Sequence, residues 1–317
     1  LGYEIHYIGT QRGIERGLIE PLGVAYHTIR TGKLRRYFSW QNFIDPLNVL
    51  CGLVKSFFLL GRIKPRCVFS KGGFVSLPVV IAARFRGKPV ILHESDMTPG
   101  LANRLCFRFA STICTSFKDT QKYIKPSYQN KVVHTGSPVR PALLSGDKAR
   151  GQQLTGFNTA KPVLMIICGS LGSDIINHFI RANLDALLDH YQIIHCSGKN
   201  KCDPSFDQTG YQQYDYVGAD LPDLYALADC FISRAGANSV FELLALQKPA
   251  LLIPLSTKAS RGDQILNAQY AKQHGRFEVL DEAELKLEHV LTALSRSCAK
   301  PTHPKQSDQA SVQILKL

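Results

Sequence analysis

Residues 231–255, "FISRAGANSVFELLALQKPALLIPL", contain the four elements that decide the fold. One apolar run ends at Ser233, a turn with Gly236 and a helix-forming segment follow, and a second apolar run ends at Leu255. A strand, a glycine turn, a helix and another strand make a βαβ unit, which places both strands in a parallel sheet. Glu242 lies one helical turn beyond the glycine, so the stretch predicts a ligand site as well as a fold.

The same alternation of short apolar strands and helix-length segments runs through almost the whole chain of 317 residues. It is interrupted around 137–162, where Pro, Gly and polar residues predominate. We therefore predict an α/β fold of two Rossmann-like domains facing a cleft. The predicted boundaries are 1–140 for the N-terminal domain, 141–160 for a linker and 161–317 for the C-terminal domain.

The charge is unevenly divided between the two halves. Residues 1–150 contain 23 Lys and Arg against 8 Asp and Glu, a net charge of +15, whereas residues 151–317 contain 15 against 17, a net charge of −2. The first half is therefore expected to meet an anionic partner, which could be nucleic acid, acidic lipid or a phosphorylated substrate.

The nine cysteines form no C-x-x-C pair, and several lie in apolar runs, which favours buried reduced thiols in a reducing cytoplasm. No run of about 18 uncharged apolar residues occurs, so no membrane-spanning segment is predicted.

A segment at 33–43, "KLRRYFSWQNF", interleaves basic and aromatic residues ahead of an apolar helix predicted at 46–60. Asp45 is the predicted N-cap of that helix and Gly61 its stop. Such a segment can stack single-stranded nucleic acid or lie on an acidic lipid surface. The chain has no recognisable nucleic-acid module, which favours lipid. The simpler alternative is a loop followed by a core helix.

Two turns of the second half could receive a phosphate. In "CGSLGSDIIN", residues 168–177, a strand ends at a glycine turn and a helix begins, so backbone N–H groups and the Ser170 hydroxyl could meet an anion. The alternative is an ordinary turn capped by Ser173 or Asp174. At the second turn Glu242 could accept hydrogen bonds from a ribose, but Ser239-x-x-Glu242 also reads as a capping box.

The spacing argues against some classes of enzyme. A dinucleotide fingerprint places its ribose acid about 20 residues after the glycines, which disfavours a nicotinamide oxidoreductase. No D-x-D or H-E-x-x-H pattern occurs, so a metal site has little support. In the first half, "KGGF" at 71–74 and "HESD" at 93–96 follow predicted strands, so Lys71 and His93 could handle a diphosphate or a proton. Alternatively they are a solvated lysine and a histidine bonded to backbone.

Taken together, the motifs resemble one family closely, the MurG family of GT-B glycosyltransferases. The matching motifs are "YIGT", "GKLRRYFS", "SKGGFVSLPVVIAA", "HESDMTPGLANR", "TGSPVR", "CGSLGS", "SRAGANSVFELLALQKPALLIPL" and "RGDQILNAQ". The resemblance implies an inverting transfer, without a metal or other cofactor, of N-acetylglucosamine from UDP-GlcNAc to the muramyl 4-hydroxyl of undecaprenyl-diphosphate-linked muramyl-pentapeptide (lipid I to lipid II). It also implies a peripheral enzyme at the cytoplasmic face of the cell membrane, whose acidic surface the basic N-terminal half would meet, and no nucleic-acid partner.

The resemblance further implies two sets of site residues. Glu242 matches the residue that takes the ribose hydroxyls, and Gln264 matches a residue that contacts the sugar. The full donor set is Asn103, Arg140, Ser170, Gly218, Ala237, Asn238, Glu242 and Gln264. The acceptor set is Gly72, Gly73, His93 and Glu94.

The chain departs from the family pattern at two places. Leu171 and Ser173 stand where the family usually has Gln and Ala. The chain also opens at what corresponds to the family's second strand, without the first strand, its His-containing glycine loop and the following helix. We therefore expect an incomplete copy of a longer protein with an incomplete N-terminal sheet, a truncation that could leave it inactive as given, and we assign no catalytic residue.

Three other functions stay open from the sequence. One is a different GT-B enzyme that uses a UDP-sugar, such as a glycolipid synthase or an epimerase. Another is a non-catalytic, membrane-associated protein that binds UDP-sugar. The third, nucleic-acid binding, predicts association that weakens steeply with salt.

Overall fold

The computed structural model describes residues 2–32, 41–158, 160–257, 260–301 and 310–317. Within these ranges the chain forms two compact units, Leu1–Gly136 with Gln313–Leu317 and Ser137–Val312. Both units contain parallel sheets with helical connections, as the alternating pattern predicted. Most of the basic-aromatic segment, residues 33–40, lies outside the described residues.

The first unit contains a parallel pair of strands and a four-stranded parallel sheet of order β3-β4-β5-β6. Its strands are β1 (His6–Gly9), β2 (Ala25–Thr28), β3 (Val68–Ser70), β4 (Val90–Glu94), β5 (Thr112–Thr115) and β6 (Val132–His134). Its helices are α1 (Ile14–Ile19), α2 (Gln41–Ile63), α3 (Ser76–Phe85) and α4 (Leu101–Cys106). Among the described residues, the strands of this unit thus form two separate sheets.

The core of the first unit lies between the four-stranded sheet and α3. Every residue of β4 is buried, and Leu92 packs with Val80 and Ile113. A continuous apolar run is typical of a parallel strand that is covered on both faces. Burial of this strand fixes the position of its polar end, His93 and Glu94.

Helix α2 differs from the prediction at both ends. It begins at Gln41 and ends at Ile63, so Asp45 is not its N-cap and Gly61 is not its stop. Pro46 lies inside the helix, where it removes only one hydrogen bond near the N-terminal end. A single glycine inside a helix costs about 1 kcal/mol relative to alanine. Contacts along the buried side of α2 offset this cost.

One side of α2 packs into the first unit, with Gly52, Ser56 and Leu60 buried. The opposite side exposes Leu47, Leu50, Val54 and Phe58, which are between 50% and 67% accessible. Residues Asp45–Ile63 are long and apolar enough to cross a membrane by length and composition alone, and this is the one such helix in the described ranges. The buried side identifies α2 as a packed helix of the unit with one exposed apolar face.

The second unit is built on a six-stranded parallel sheet of order β12-β11-β10-β7-β8-β9. Its strands are β7 (Val163–Ile167), β8 (Gln192–Cys196), β9 (Tyr211–Tyr214), β10 (Cys230–Ser233), β11 (Ala250–Leu252) and β12 (Phe277–Val279). Its helices are α5 (Lys148–Thr155), α6 (Asp174–Ala182), α7 (Leu184–His190), α8 (Leu221–Leu227), α9 (Ala237–Ala245), α10 (Asp263–His274) and α11 (Leu287–Ala299), and α12 (Ala310–Leu315) follows at the end of the chain. The order reverses between β7 and β10, which makes their carboxyl ends the topological switch point of the sheet.

Part of the predicted linker is helical and belongs to the second unit. Helix α5 begins because the Asp147 side chain accepts hydrogen bonds from the N–H groups of Ala149 and Arg150, and it ends at Gly156 in the left-handed conformation. The helix packs closely against α8, since a Cβ at Gly151 would lie 2.5 Å from the Asp223 carbonyl oxygen. The predicted domain boundaries themselves stay a prediction.

All nine cysteines are free, in agreement with the predicted thiols. Their burial is only partly as predicted: Cys230 is buried, but Cys67 is exposed.

Candidate functional site

Two glycine turns lie side by side at the switch point of the second unit. Ser233, the last residue of β10, pairs in register with Ile167, the last residue of β7. The Ser233 hydroxyl also donates to the Ile167 carbonyl over 2.7 Å. The turns that follow these residues are therefore held together, and both lead into helix N-termini, where backbone N–H groups favour an anion.

The turn after β7 depends on its glycines. Gly169 and Gly172 have φ of 81° and 64°, and a Cβ at Gly172 would lie 1.8 Å from the Ser197 carbonyl oxygen. Ser173 is the N-cap of α6, as the simpler interpretation of this motif predicted, and its hydroxyl accepts from the Ile176 N–H. Ser170 is exposed on the turn. The cap and the predicted anion site are thus compatible, because they use different serines.

A buried histidine, His195, holds α6 in place through the side chain of Asn177. The Asn177 amide nitrogen donates to the Ser197 carbonyl, so its oxygen accepts from His195 Nε2 over 3.0 Å, and Nδ1 accepts from the Tyr211 hydroxyl over 2.7 Å. Burial, with the nearby Arg181, lowers the pKa of His195 to about 3. A neutral imidazole therefore fixes the helix that carries the first turn.

The turn after β10 contains no capping box. Gly236 is the N-cap of α9, so Ser239 is the third residue of the helix and no side chain caps it. The Glu242 carboxylate is therefore not used to cap α9, and its hydrogen-bond partners belong to other elements. Its Oε1 accepts from Arg140 Nη2 at 3.1 Å, and its Oε2 accepts from the Tyr225 hydroxyl at 3.5 Å. Tyr225 is buried, which raises the pKa of its hydroxyl and keeps it a donor.

The Glu242 carboxylate thus stands near the surface, with 15% of its side chain accessible, while Arg140 is 58% accessible. In the adjoining turn Ala237 is buried and Asn238 is exposed. The structure therefore brings Arg140 and Glu242 together, as members of one predicted set, beside the two glycine turns.

Gly218 and Gln264 lie elsewhere at the carboxyl edge of the same sheet. Gly218 follows β9 and is exposed, and its carbonyl accepts from the Leu221 N–H over 3.3 Å. Gln264 is in the first turn of α10, where its Oε1 accepts from the Leu255 N–H over 3.1 Å. No hydrogen bond links either residue to Glu242 within the described ranges, so their part in a shared site stays a prediction.

In the first unit the predicted acceptor residues surround the ends of β3 and β4. Gly72 and Gly73 have φ of 89° and 86°, and a Cβ at Gly72 would lie 2.9 Å from the Asn103 amide. Asn103 is buried and donates to Glu94 Oε2 over 2.8 Å. The glycine turn, the end of β4 and the start of α4 therefore meet at one point, which joins Asn103 to the acceptor residues.

Glu94 is buried and holds its own loop. Its Oε1 accepts from the Asp96 N–H, and its Oε2 accepts from the Gly100 N–H and from Asn103. Burial raises the pKa of this carboxyl group, although the three donors oppose the rise. The carboxylate therefore acts within the loop, as an anchor for the backbone of residues 95–100.

His93 is fully buried, and one of its ring nitrogens has no partner among the described residues. Its Nε2 donates to the Gly136 carbonyl over 3.1 Å, which agrees with the alternative of a histidine bonded to backbone. Its buried Nδ1 has no hydrogen-bond partner among the described residues. Burial is the main cause that lowers the pKa of His93 to about 4. The ring is therefore neutral at pH 7, and Nδ1 carries the lone pair.

Sequence reasoning missed one buried charge at the switch point. Arg234 follows β10 directly, is buried, and forms an ion pair with Glu282. An arginine immediately after a strand and before a glycine turn was a signal that could have pointed to it. Among the described residues no three His, Cys, Asp or Glu side chains converge to hold a metal ion.

Comparison with known proteins gives a consistent result. Residues 1–115 match the model of the glycosyltransferase family 28 N-terminal domain, and residues 163–316 match the C-terminal domain of the same family. The chain is 55% identical over 290 residues to the UDP-N-acetylglucosamine--N-acetylmuramyl-(pentapeptide) pyrophosphoryl-undecaprenol N-acetylglucosamine transferase of Clostridium novyi, covering 91% of this chain and 80% of that one. It is 50% identical to the protein of the same description from Geobacillus kaustophilus, covering 93% and 83%.

Solved structures share the fold at lower identity. MurG of Acinetobacter baumannii has a TM-score of 0.68 at 21% identity, covering 99% of this chain and 91% of that one. A UDP-GlcNAc 2-epimerase of Methanocaldococcus jannaschii has a TM-score of 0.65 at 13% identity, covering 98% and 91%. At these identities the structures establish the architecture only, and the sequence relatives carry the distinction between activities.

Proposed function

The chain belongs to glycosyltransferase family 28, and within it to the MurG family, and from this premise we propose how its two units divide the reaction. It is an N-acetylglucosaminyltransferase of peptidoglycan synthesis with the two-domain α/β architecture of GT-B enzymes. It transfers N-acetylglucosamine from UDP-GlcNAc to lipid-linked muramyl-pentapeptide (lipid I). The observation that carries the division is the pair of glycine turns at the switch point, with Glu242 beside them.

On the donor side, the diphosphate lies against the N-termini of α6 and α9. Ser170 and the backbone at Ala237 and Asn238 contact it, while Glu242 accepts from the two ribose hydroxyls. Gly218 contacts the uracil, and Gln264 contacts the sugar. As the bond from the anomeric carbon to the UDP oxygen breaks, negative charge grows on the diphosphate. The N–H groups of the helix N-termini stabilise that charge without reorganisation, and Arg140, which is paired with Glu242, adds a positive charge beside them.

On the acceptor side, the muramyl 4-hydroxyl oxygen attacks the anomeric carbon from the face opposite UDP, which inverts the configuration. Gly72 and Gly73 admit the acceptor diphosphate close to the backbone, and Glu94 with Asn103 holds the neighbouring loop in place. Asn103 is also a member of the proposed donor set. The hydroxyl proton passes to a base that we leave unassigned. His93 is fully buried and neutral, and its bond to the Gly136 carbonyl holds the end of β4 in place beside this turn.

The acceptor is a lipid, so the enzyme works at a membrane surface. We assign contact with that surface to the exposed face of α2, formed by Leu47, Leu50, Val54 and Phe58. At 100° per residue these side chains span about 80° of the helix surface, which is the narrow apolar stripe of an interfacial helix. Lys55 and Arg62 lie along one border of the stripe. The net charge of +15 over residues 1–150 favours an acidic surface.

This assignment makes the protein peripheral, at the cytoplasmic face of the cell membrane, where nucleotide-sugar donors are available. The nine free cysteines suit that compartment. Nucleic acid is not expected as a partner, since binding of the lipid-linked diphosphate already accounts for the basic charge of the first half.

The decisive experiment is transfer of radiolabelled N-acetylglucosamine from UDP-GlcNAc to lipid-linked muramyl-pentapeptide. The expected product is the labelled disaccharide lipid, with diacylglycerol inactive as an acceptor. Label on diacylglycerol would identify a glycolipid synthase, and UDP-N-acetylmannosamine would identify an epimerase. Binding of UDP-GlcNAc with no turnover of either lipid would identify a binding protein. Each of these three results contradicts the proposed reaction.

A further inference from the structure

A single buried side chain joins the loops on which the proposed donor site is built. Arg234 is 8% accessible and leaves the carboxyl end of β10 one residue after the strand. Its Nη2 donates to the Ser173 hydroxyl over 2.6 Å and lies 2.6 Å from Glu282 Oε1. Its Nη1 donates to the Ile253 carbonyl over 3.0 Å and also reaches the Pro254 carbonyl, at 3.5 Å.

These contacts reach the loops that follow β7, β11 and β12 at this edge of the sheet. Ser173 caps α6 after β7, Ile253 follows β11, and Glu282 follows β12. Arg234 itself leads into the turn before α9. We propose that Arg234 is a positioning residue for the donor nucleotide, which sets the α6 N-terminus and the β11–α10 loop against the α9 turn. This inference rests on the proposed function, because it assigns the donor to this edge.

The consequence for the ligand follows from what each contacted group does. The Ser173 hydroxyl caps α6, so a shift of Ser173 moves the N–H groups that would face the diphosphate. Pro254 precedes Leu255, whose N–H holds the Gln264 side chain, so the β11–α10 loop carries the predicted sugar contact. Arg234 touches neither the diphosphate nor the sugar in this scheme. It fixes the distance between the groups that do.

The chemistry of the side chain explains why arginine is required. A guanidinium is planar and offers five N–H donors in a fixed fork, so it can serve a hydroxyl, a carboxylate and a carbonyl from one position. A lysine ammonium keeps the charge beside Glu282, whose side chain is 15% accessible, but a single nitrogen cannot span the same acceptors. Arg234→Lys therefore retains the ion pair with Glu282 but loses the set of simultaneous hydrogen bonds to Ser173 and Ile253.

The test compares Arg234→Lys with Arg276→Lys. Arg276 lies just before β12, at the amino edge of the same sheet, and donates to the Cys298 carbonyl away from the proposed site. For Arg234→Lys we expect the dissociation constant for UDP and KM for UDP-GlcNAc to rise about tenfold, the effect of losing roughly one well-placed hydrogen bond. We expect kcat within about threefold and an unchanged KM for lipid I. Arg276→Lys should change the UDP dissociation constant less than about twofold.

A merely structural role would lower the melting temperature of both variants without the selective rise in donor KM. Equal UDP dissociation constants for wild type and Arg234→Lys, or equal weakening in both variants, overturn the inference and leave the proposed function standing. A wild-type chain that binds no UDP overturns the proposed function and the inference together. If Arg234→Lys does not fold, Glu282→Gln tests the same contact. It keeps an acceptor of the same shape, and an unchanged UDP dissociation constant there overturns the inference.

Discussion

Replacement of Glu242 by alanine should weaken UDP binding about a hundredfold. A carboxylate that accepts from both ribose hydroxyls makes two charge-assisted hydrogen bonds, each worth about 1.5 kcal/mol or more. Against this stands the contact with Arg140 at 3.1 Å, which binding must share or give up. Because Arg140 is 58% accessible, that ion pair is worth at most about 1 kcal/mol. The net loss is about 2.5–3 kcal/mol, and every 1.4 kcal/mol is a factor of ten.

Titration calorimetry with UDP measures this loss, and KM for UDP-GlcNAc provides an independent value. Glu242→Gln, which keeps two polar atoms but removes the charge, should weaken binding about tenfold. Glu278→Ala is the matched control. Glu278 lies on β12, its side chain is also 15% accessible, and it is paired with Lys272 and Lys300. The control should lose stability but keep its affinity for UDP. If Glu242→Ala binds UDP within twofold of wild type, the role assigned to Glu242 is refuted.

Three further outcomes follow. Phe58→Asp should reduce sedimentation with anionic vesicles at least about tenfold, whereas Leu154→Asp, at another exposed helical leucine, should not; equal loss in both would contradict the membrane-facing role of α2. Gly72→Ala should raise KM for lipid I because its Cβ would clash with Asn103 and shift the turn, and Gly73→Ala should raise it because its Cβ would enter the open space assigned to the acceptor diphosphate; an unchanged KM in both would argue against the acceptor turn. His195 keeps a pKa of about 3, below its unfolded value near 6.5, so its stabilising effect is complete above pH 6.5 and falls as the pH is lowered. In urea unfolding, the loss of stability between pH 7 and 5 should be about 2 kcal/mol smaller in His195→Gln than in wild type, and an identical loss in the variant would contradict this.

Local sequence patterns predicted the elements around the donor turns well. The strand ending at Ser233 and the helix after Gly236 follow from a short apolar run, a glycine and a helix-forming segment, all within 16 residues. The glycine pair at 72–73 was recognisable for the same reason, since positive φ at two successive residues requires glycine. Such features depend on neighbours in the chain, which a sequence displays directly.

Features that depend on distant residues were not predictable in this way. The capping box at Ser239 fitted the pattern but failed, because the helix begins two residues earlier, at Ala237. The helix at 46–60 extends beyond both predicted ends, because packing along one side outweighs a proline and a glycine. Arg234 was overlooked because its partner Ser173 is 61 residues away in the chain. Only the strand order, with β10 beside β7, brings the two together.

The most direct test of the central claim is a crystal structure of the protein with UDP-GlcNAc bound. We predict the diphosphate at the N-termini of α6 and α9, with both ribose hydroxyls within hydrogen-bond distance of the Glu242 carboxylate. A nucleotide bound in the first unit, or one bound in the second unit with its ribose turned away from Glu242, would contradict the claim.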